Sequence, residues 1–204
     1  MKLYYTPGAG SLASRIVACE AGLQIDYDKV DLKNQTTASG RSFSKINPKG
    51  GVPALSLNNG EVLTEASVVV QFLADQAPHA QLIPVAGSMD RYRVQEWLNF
   101  ISTELHGSFM PLWRPARSAA ERQSSIDNLY RLFGYLDGHL ADRPYLMGEQ
   151  FTVADAYGFT VLNWTHFHRI SLAKYSWLLA YMKRVAARPG VKEALGAEGV
   201  KALC

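Results

Sequence analysis

The pattern of apolar and polar residues changes about 80 residues into the chain. Before that point, Leu12, Ile16 and Cys19 recur at steps of three and four, which predicts a helix. Alternation over residues 25–32 and short apolar runs elsewhere predict strands. The predicted elements of this part are strands at residues 2–6, 25–32, 53–57 and 61–63, and helices at residues 11–21, 39–46 and 64–77.

Asn59 and Gly60 link the last two of these strands. Both residues tolerate positive φ, so the dipeptide predicts a tight antiparallel hairpin. The element order β-α-β-α-β-β-α then combines a parallel start with an antiparallel end. It predicts a mixed four-stranded sheet with helices packed on it.

The remainder of the chain predicts helices and no strand. It follows a connector with little periodicity, and Thr152-x-x-Asp155 precedes an apolar run within it, as at a helix N-cap. We interpret that N-cap as a folding signal without chemistry. The fold class is therefore α+β, with one domain at residues 1–81 and an all-α domain at residues 87–204. The predicted helices of the second domain cover residues 88–109, 118–140, 152–167, 176–188 and 191–198.

Composition narrows the class of protein. The 204 residues carry 21 basic and 18 acidic side chains, and the net charge of +3 is too small to indicate a nucleic-acid partner. No apolar stretch approaches the roughly 20 residues of a membrane helix. The two cysteines, Cys19 and Cys204, are too few for a disulfide scaffold or a four-thiolate zinc site. We expect a cytoplasmic protein with no membrane segment.

The first candidate site is the turn Gly8-Ala9-Gly10-Ser11-Leu12-Ala13, which joins a predicted strand to a predicted helix. A glycine turn at a helix N-terminus exposes free N–H groups and favours an anion, either a phosphate or a thiolate. The pattern also fits a dinucleotide-binding fingerprint, with Asp31 at the distance of a ribose-binding acid. A doubly wound fold needs more β-α units than this chain supplies, and a tight turn without chemistry is a further alternative.

Two later segments carry ligand-binding patterns. Pro53 follows a Gly-Gly turn and is a candidate cis-proline, which would turn the N–H and C=O of Val52 toward an extended peptide-like ligand. The alternative is a proline that only begins an edge strand. Glu65 lies at the predicted start of a helix, where the dipole favours it. Alternatively, Glu65 receives a ligand ammonium while the N–H of Ala66 binds a carboxylate, as an α-amino acid end requires.

A polar stripe lies on the first long helix of the second domain. At about 100° per residue, Asn99, Thr103 and His106 share one face, which is either solvated or lines a cleft between the domains. His166 and His168 are a poor metal pair because residues two apart on a helix point to different faces. We therefore predict no metal.

Five segments, taken in order, resemble the cytosolic glutathione transferases, and specifically the bacterial beta class. They are spread over essentially the whole chain: MKLYYTPGAGSLAS, NPKGGVPAL, LTEASVVVQFLAD, EWLNFISTELH and FTVADAYGFTVL. The resemblance implies a thioredoxin-like N-terminal domain, an all-helical C-terminal domain and a homodimer. It also implies that glutathione is held at the edge of the first domain.

The resemblance assigns binding residues by position. Val52, before the cis Pro53, would pair through its backbone with the cysteinyl part of glutathione. Glu65 and Ala66 would hold the γ-glutamyl end. The residues that would border the site from the first long helix, in the same subunit or in its partner, are Asn99, Thr103, Glu104 and His106.

Two residues depart from the beta-class pattern. Gly10 is found where class members carry a cysteine that can form a mixed disulfide with glutathione, so that chemistry is not expected here. Cys19 lies about two and a half turns further along the helix and is a poor substitute. Gln35 is found where a lysine that helps bind the glycine carboxylate is typical. Its amide can donate a hydrogen bond but brings no charge.

The predicted reaction is conjugation of the glutathione thiolate to a small hydrophobic electrophile, with detoxification as the role. A free thiol has a pKa of roughly 8.5, so the thiolate needs stabilisation. We rank Ser11 first as its hydrogen-bond donor, assisted by helix N–H groups, then His106, and then Tyr5. The electrophile would lie against apolar side chains such as Phe109, Met110 and Trp113. The alternative is a non-catalytic glutathione-binding or interaction protein of the same fold.

Overall fold

The strands of the N-terminal part form one mixed sheet. The computed structural model describes residues 1–113 and 118–202. The strands are β1 (Lys2–Tyr5), β2 (Asp26–Asp31), β3 (Thr36–Thr37), β4 (Ala54–Ser56) and β5 (Val62–Thr64). β1 lies at the centre, parallel to β2 and antiparallel to β4, and the order across the sheet is β3-β2-β1-β4-β5. The predicted hairpin is confirmed, because β4 and β5 pair antiparallel and Gly60 closes the turn with a φ of 90°.

The sheet has five strands where the sequence predicted four. The additional strand, β3, pairs antiparallel with the end of β2, at Val30 and Asp31. A strand of two residues is too short to show an alternating pattern, so periodicity could not reveal it. The helix predicted at residues 39–46 is also shorter than expected, with one 3₁₀ turn at Phe43–Lys45 that buries Phe43.

Helices account for most of the remaining chain. They are α1 (Ser11–Glu20), α2 (Ala66–Asp75), α3 (Met89–Phe100), α4 (Gly107–Phe109), α5 (Ala119–His139), α6 (Val153–Leu162), α7 (Trp164–His168), α8 (Ser176–Ala186) and α9 (Pro189–Glu198). A π-helical segment, Ile101–His106, joins α3 to α4, and 3₁₀ turns lie at Pro78–Ala80 and Met110–Trp113. No helix within residues 1–113 and 118–202 combines the length and the apolar character that a membrane span requires.

These strands and helices belong to two compact units. The first contains the sheet and comprises Met1–Ile83 and Pro189–Lys201. Within it, α1 packs against both α2 and α9 and is buried over most of its length. The sequence-based division placed α9 in the helical domain at residues 87–204, whereas the structure groups it with the sheet. The apolar side of α9 packs on α1, a tertiary contact that its own sequence does not encode.

The second unit, Pro84–Arg188, is helical. Helix α6 is buried at every residue and packs against α3 and α8, so it forms the centre of this unit. The mostly apolar sequence of α6 explains its position, because a helix without a continuous polar face is stable only when it is surrounded. The fold class predicted from the sequence, an α+β chain with a thioredoxin-like N-terminal part and a helical C-terminal part, is the one observed.

Thr152 and Asp155 cap the N-terminus of α6, as predicted. Thr152 Oγ1 accepts the N–H of Ala154, while the Asp155 carboxylate accepts the N–H of Thr152 at 2.8 Å. Asp155 also accepts the N–H of Leu146 at 2.9 Å. Burial raises the pKa of Asp155 to about 6, against the opposing effect of these hydrogen bonds. The carboxylate therefore ties the loop before α6 to the helix.

Candidate functional site

The turn between β1 and α1 contains two glycines with different backbone conformations. Gly8 has a φ of 71°, in the left-handed region that glycine adopts at little cost. Gly10 has a φ of −54° and precedes α1 in an ordinary helical conformation. The backbone at position 10 would therefore accept a cysteine, and the turn does not require a glycine there.

Ser11 begins α1 and is completely buried. Its hydroxyl oxygen accepts the N–H of Thr6 at 3.2 Å, and its hydroxyl donates to the Thr6 carbonyl oxygen at 3.3 Å. Ser11 therefore closes the turn, a role that the sequence pattern did not indicate. Tyr5, the third-ranked donor, is half-buried at the end of β1, and its ring packs edge-on against Tyr27.

A buried carboxylate holds this turn from the far end of the chain. Glu198, in α9, accepts the N–H of Gly8 at 2.9 Å and Arg15 Nε at 3.0 Å. Burial raises the pKa of Glu198, and these two donors oppose the shift. The Arg15 guanidinium also lies over two rings, 3.6 Å from the Tyr27 centroid and 4.4 Å from that of Tyr5. Sequence reasoning missed this group because no local pattern links residues so far apart.

The loop before β4 ends in a cis peptide bond between Val52 and Pro53, as predicted. The buried Asn47 shapes this loop: its amide donates to the Gly51 carbonyl at 2.7 Å, and its Oδ1 accepts the N–H of Lys49 at 3.1 Å. Among the described residues, none pairs with the backbone N–H or C=O of Val52. The backbone that would pair with an extended ligand is therefore available.

Gln35 fastens the same loop. Its Nε2 donates to the carbonyl oxygens of Leu32 at 2.8 Å and Gly50 at 3.1 Å, so both amide hydrogens are in use. Its Oε1 is buried and lacks a partner in the described part of the chain. The expectation that Gln35 donates a hydrogen bond to a ligand carboxylate is thus corrected, because the structure commits its donors to the protein backbone.

Glu65 directly precedes α2 with a φ of 70°, which is uncommon for a residue with a side chain. Its carboxylate accepts Lys49 Nζ at 2.7 Å, and the same ammonium lies 3.0 Å from Thr64 Oγ1. The N–H groups of Ala66 and Ser67, at the start of α2, have no hydrogen-bond partner among the described residues. A carboxylate beside free helix N–H groups is the arrangement that the sequence predicted for an α-amino acid end.

The polar stripe of the second unit runs into the π-helical segment. Asn99 and Thr103 are exposed, and Thr103 Oγ1 donates to the Asn99 carbonyl at 3.0 Å. His106 is half-buried, and its ring contacts two buried residues, Tyr157 on α6 and Trp164 on α7. The prediction of one shared face assumed about 100° per residue, which does not hold across the wider turn of a π-helix. Glu104, within the same segment, is exposed.

His106 is held by a buried tyrosine that the sequence did not single out. Its Nδ1 lies 2.8 Å from Tyr157 Oη, and its ring centroid lies 4.6 Å from that of Trp164. Burial lowers the pKa of His106 and so favours the neutral imidazole. A neutral ring with one nitrogen bonded to Tyr157 leaves the other as a donor or acceptor.

The apolar residues expected to face an electrophile separate into two groups. Phe109 is completely buried and packs against His168 in the core, so its predicted role as a lining residue is corrected. Met110 and Trp113 are 41% and 46% exposed. The ring of Phe167, also exposed, lies 6.0 Å from that of Trp113. We refer to Met110, Trp113 and Phe167 as the apolar patch.

Asp31, the candidate ribose-binding acid, is used within its own loop. Its carboxylate accepts the N–H groups of Asn34 and Lys33 at 3.1 Å and 2.9 Å, and the hydrogen bonds from Asn34 lower the pKa of Asp31. The antiparallel β4–β5 hairpin also excludes a doubly wound sheet. The dinucleotide interpretation is therefore not supported. Residues 1–113 and 118–202 contain no group of three metal-binding side chains, and Cys204 lies outside the described residues.

Comparison with known proteins matches both parts of the chain. Residues 11–76 match the N-terminal domain of glutathione S-transferases, and residues 100–189 match the C-terminal domain. Over 201 residues the chain is 42% identical to glutathione S-transferase GstA of Escherichia coli O157:H7. The matched region covers 98% of this chain and 100% of that protein. The chain belongs to the glutathione S-transferase family.

Solved glutathione S-transferase structures superimpose closely. BphK, a bacterial enzyme solved as a ternary complex, has a TM-score of 0.96 and 46% identity, with 98% of this chain and 100% of that one covered. A sphingomonad glutathione S-transferase complexed with glutathione has a TM-score of 0.95 and 41% identity, with the same coverage. The family, the fold and the enzyme class expected from the five sequence segments are confirmed.

Proposed function

We propose that the protein conjugates glutathione to small hydrophobic electrophiles. The observation that supports this most is the arrangement within residues 52–67: the unpaired backbone of Val52, the Glu65 carboxylate and the free N–H groups at the start of α2. Glutathione offers an extended backbone, an ammonium and an α-carboxylate, one for each of these groups. The glutathione complex of the sphingomonad relative supports the same ligand.

In this proposal the sulfur of glutathione lies at the amino end of α1, beside Gly10. The helix dipole lowers the pKa of a thiol at that position, and each tenfold gain in the ratio of thiolate to thiol corresponds to about 1.4 kcal/mol. Ser11 donates to the thiolate once its hydroxyl hydrogen turns away from the Thr6 carbonyl, to which it makes a long 3.3 Å bond. His106 is the second donor or proton carrier, and Tyr5 is the third.

The remaining assignments follow the two parts of the chain. Residues 1–81 bind glutathione, and the helical unit Pro84–Arg188 supplies the electrophile site through the apolar patch. Its exposed rings favour flat, apolar substrates over charged ones. The residues proposed to border the glutathione of the same or the partner subunit are Asn99, Thr103 and Glu104.

We also propose a homodimer that acts in detoxification in the cytoplasm. Met89 and Tyr92, on α3, are 68% and 57% exposed, as expected of apolar side chains that a second copy covers. A reduced cytoplasm is the compartment where glutathione keeps thiols reduced. Light scattering after size exclusion tests the dimer: twice the 22.6 kDa chain mass is expected, and a single-chain mass at micromolar concentration would contradict it.

Initial rates with glutathione and chlorodinitrobenzene test the reaction. We expect turnover above the uncatalysed rate, a raised KM for glutathione in Glu65→Gln, and a reduced kcat in Ser11→Ala. Glu61→Gln, which changes the same charge on the β4–β5 turn, is the matched control. Glutathione binding by calorimetry without turnover over a panel of electrophiles would instead support a non-catalytic binding protein.

A further inference from the structure

The Lys49 ammonium is paired with the Glu65 carboxylate, the group to which the ligand ammonium would bind. Its Nζ lies 2.7 Å from Glu65 Oε1, and the two side chains are 62% and 60% exposed. A glutathione ammonium that binds Glu65 must therefore displace Lys49 or share the carboxylate with it. We propose that the ligand ammonium replaces Lys49 at Glu65 and that the released Lys49 then binds the glycine carboxylate of glutathione. This inference rests on the proposed function and names a specificity-determining residue for its ligand.

The charges of the ligand support an exchange over simple displacement. Glutathione carries two carboxylates and one ammonium at neutral pH. The ammonium matches Glu65, and one carboxylate matches the free N–H groups of Ala66 and Ser67. The second carboxylate is left without a charged partner in this set, while Lys49 loses its own. If the second carboxylate pairs with the Lys49 ammonium, every charge of glutathione has a partner in the complex, and Lys49 exchanges one carboxylate for another.

The neighbouring glutamine cannot supply this contact. Gln35 carries no charge, and both its amide hydrogens are bonded to the carbonyl oxygens of Leu32 and Gly50. Its side chain adjoins Gly50, the residue next to Lys49 in the loop. The lysine main chain is therefore located beside Gln35, although its ammonium reaches across to Glu65.

The loop geometry suits a side chain that changes partner. The backbone around Lys49 is fixed, because Asn47 accepts its N–H and also donates to the Gly51 carbonyl. The exposed four-carbon stem of lysine, in contrast, reorients at little cost, and an exposed ion pair contributes little to stability. The exchange thus requires one side chain to move on a fixed loop.

Calorimetry with two ligands tests the exchange. The ligands are glutathione and its monoethyl ester, in which the glycine carboxylate is blocked. The variants are Lys49→Met, Lys49→Arg and the control Lys45→Met, which removes the same charge from an exposed position four residues earlier. We expect Lys49→Met to weaken glutathione binding by about tenfold, as for the loss of one charge-assisted hydrogen bond. It should leave ester binding within about twofold of wild type, and Lys49→Arg should restore most of the glutathione affinity.

The outcomes separate this inference from the proposed function. Equal weakening of both ligands, or a Lys49→Met effect no larger than that of Lys45→Met, overturns the role of Lys49 while glutathione binding itself stands. Tighter glutathione binding by Lys49→Met also overturns it, because Lys49 would then act only as a competitor for Glu65. No binding of glutathione by the wild-type protein overturns the proposed function instead.

Discussion

The Glu198 carboxylate accepts a hydrogen bond from the Gly8 N–H at 2.9 Å, although 190 residues separate them in the chain. The same carboxylate pairs with Arg15, and the two side chains are 0% and 7% exposed. The last helix therefore fixes the turn at which the proposed ligand sulfur would lie. A buried pair of this kind is costly to break from one side, because the remaining charge stays desolvated.

Replacing Glu198 tests how strongly α9 holds the turn. Glu198→Ala leaves the Arg15 guanidinium and the Gly8 N–H buried without this acceptor, so we expect the free energy of unfolding to fall by about 3–5 kcal/mol. Glu198→Gln keeps an acceptor for Gly8 and should cost less. Urea unfolding measures both, with Lys192→Ala on the exposed face of α9 as control. A loss no greater than that of the control would show that the pair does not stabilise the fold.

Removal of the Asp155 side chain should destabilise the protein without affecting chemistry. Asp155→Ala leaves the buried N–H groups of Leu146 and Thr152 unpaired, and we expect the unfolding free energy to fall by about 2–4 kcal/mol. Thermal unfolding and kcat are measured together, and the exposed Glu149→Ala is the control. A large fall in kcat at temperatures where the variant is fully folded would contradict a purely structural role.

His106 should make the fold sensitive to acid. Burial places its pKa below the ordinary value of 6.5, so the unfolded chain binds the proton more readily and stability is lost as the pH falls below that value. We expect the unfolding free energy to change less between about pH 7.5 and 5.5 in His106→Gln than in wild type. The exposed His79→Gln should retain the wild-type difference. The same pH dependence in all three proteins would refute this prediction.

Cys19 should not react as a substitute for a cysteine at position 10. Burial and the nearby Glu193 raise the pKa of Cys19 to about 11, so at neutral pH it should react with iodoacetamide roughly 100-fold more slowly than a free thiol. This is measured in Cys204→Ser, where Cys19 is the remaining cysteine.

Adding Gly10→Cys to that background should create a reactive thiol, because α1 begins at the next residue and the backbone at position 10 is compatible with a side chain. Intact mass after incubation with oxidised glutathione should show one mixed disulfide with the added cysteine and none without it. Modification of the half-buried Cys19 at a comparable rate would contradict its raised pKa.

Local sequence was sufficient for the elements that local physics controls. The Asn59-Gly60 hairpin, the Thr152–Asp155 cap and the positions of α1 and α2 follow from turn chemistry, capping and periodicity, because each depends on residues within a few positions of one another. The sequence did not predict strand β3, because two residues are too few to show an alternating pattern of apolar and polar positions. The prediction that Asn99, Thr103 and His106 share one face was wrong, because it assumed the 100° per residue of a regular α-helix. The π-helical segment at Ile101–His106 has a wider turn, which periodicity does not reveal.

The candidate site shows the same division. The sequence by itself determined the residue types that a peptide-like ligand needs: Val52 before Pro53, Glu65 and the start of α2. Only the tertiary structure showed which side chains already have partners within the protein. Gln35 donates to the loop backbone, and Lys49 is paired with Glu65. It also brought Glu198 to Gly8 and Tyr157 to His106. Such contacts form between segments far apart in the chain, and their energy comes from burial and pairing, which exist only once the chain has folded.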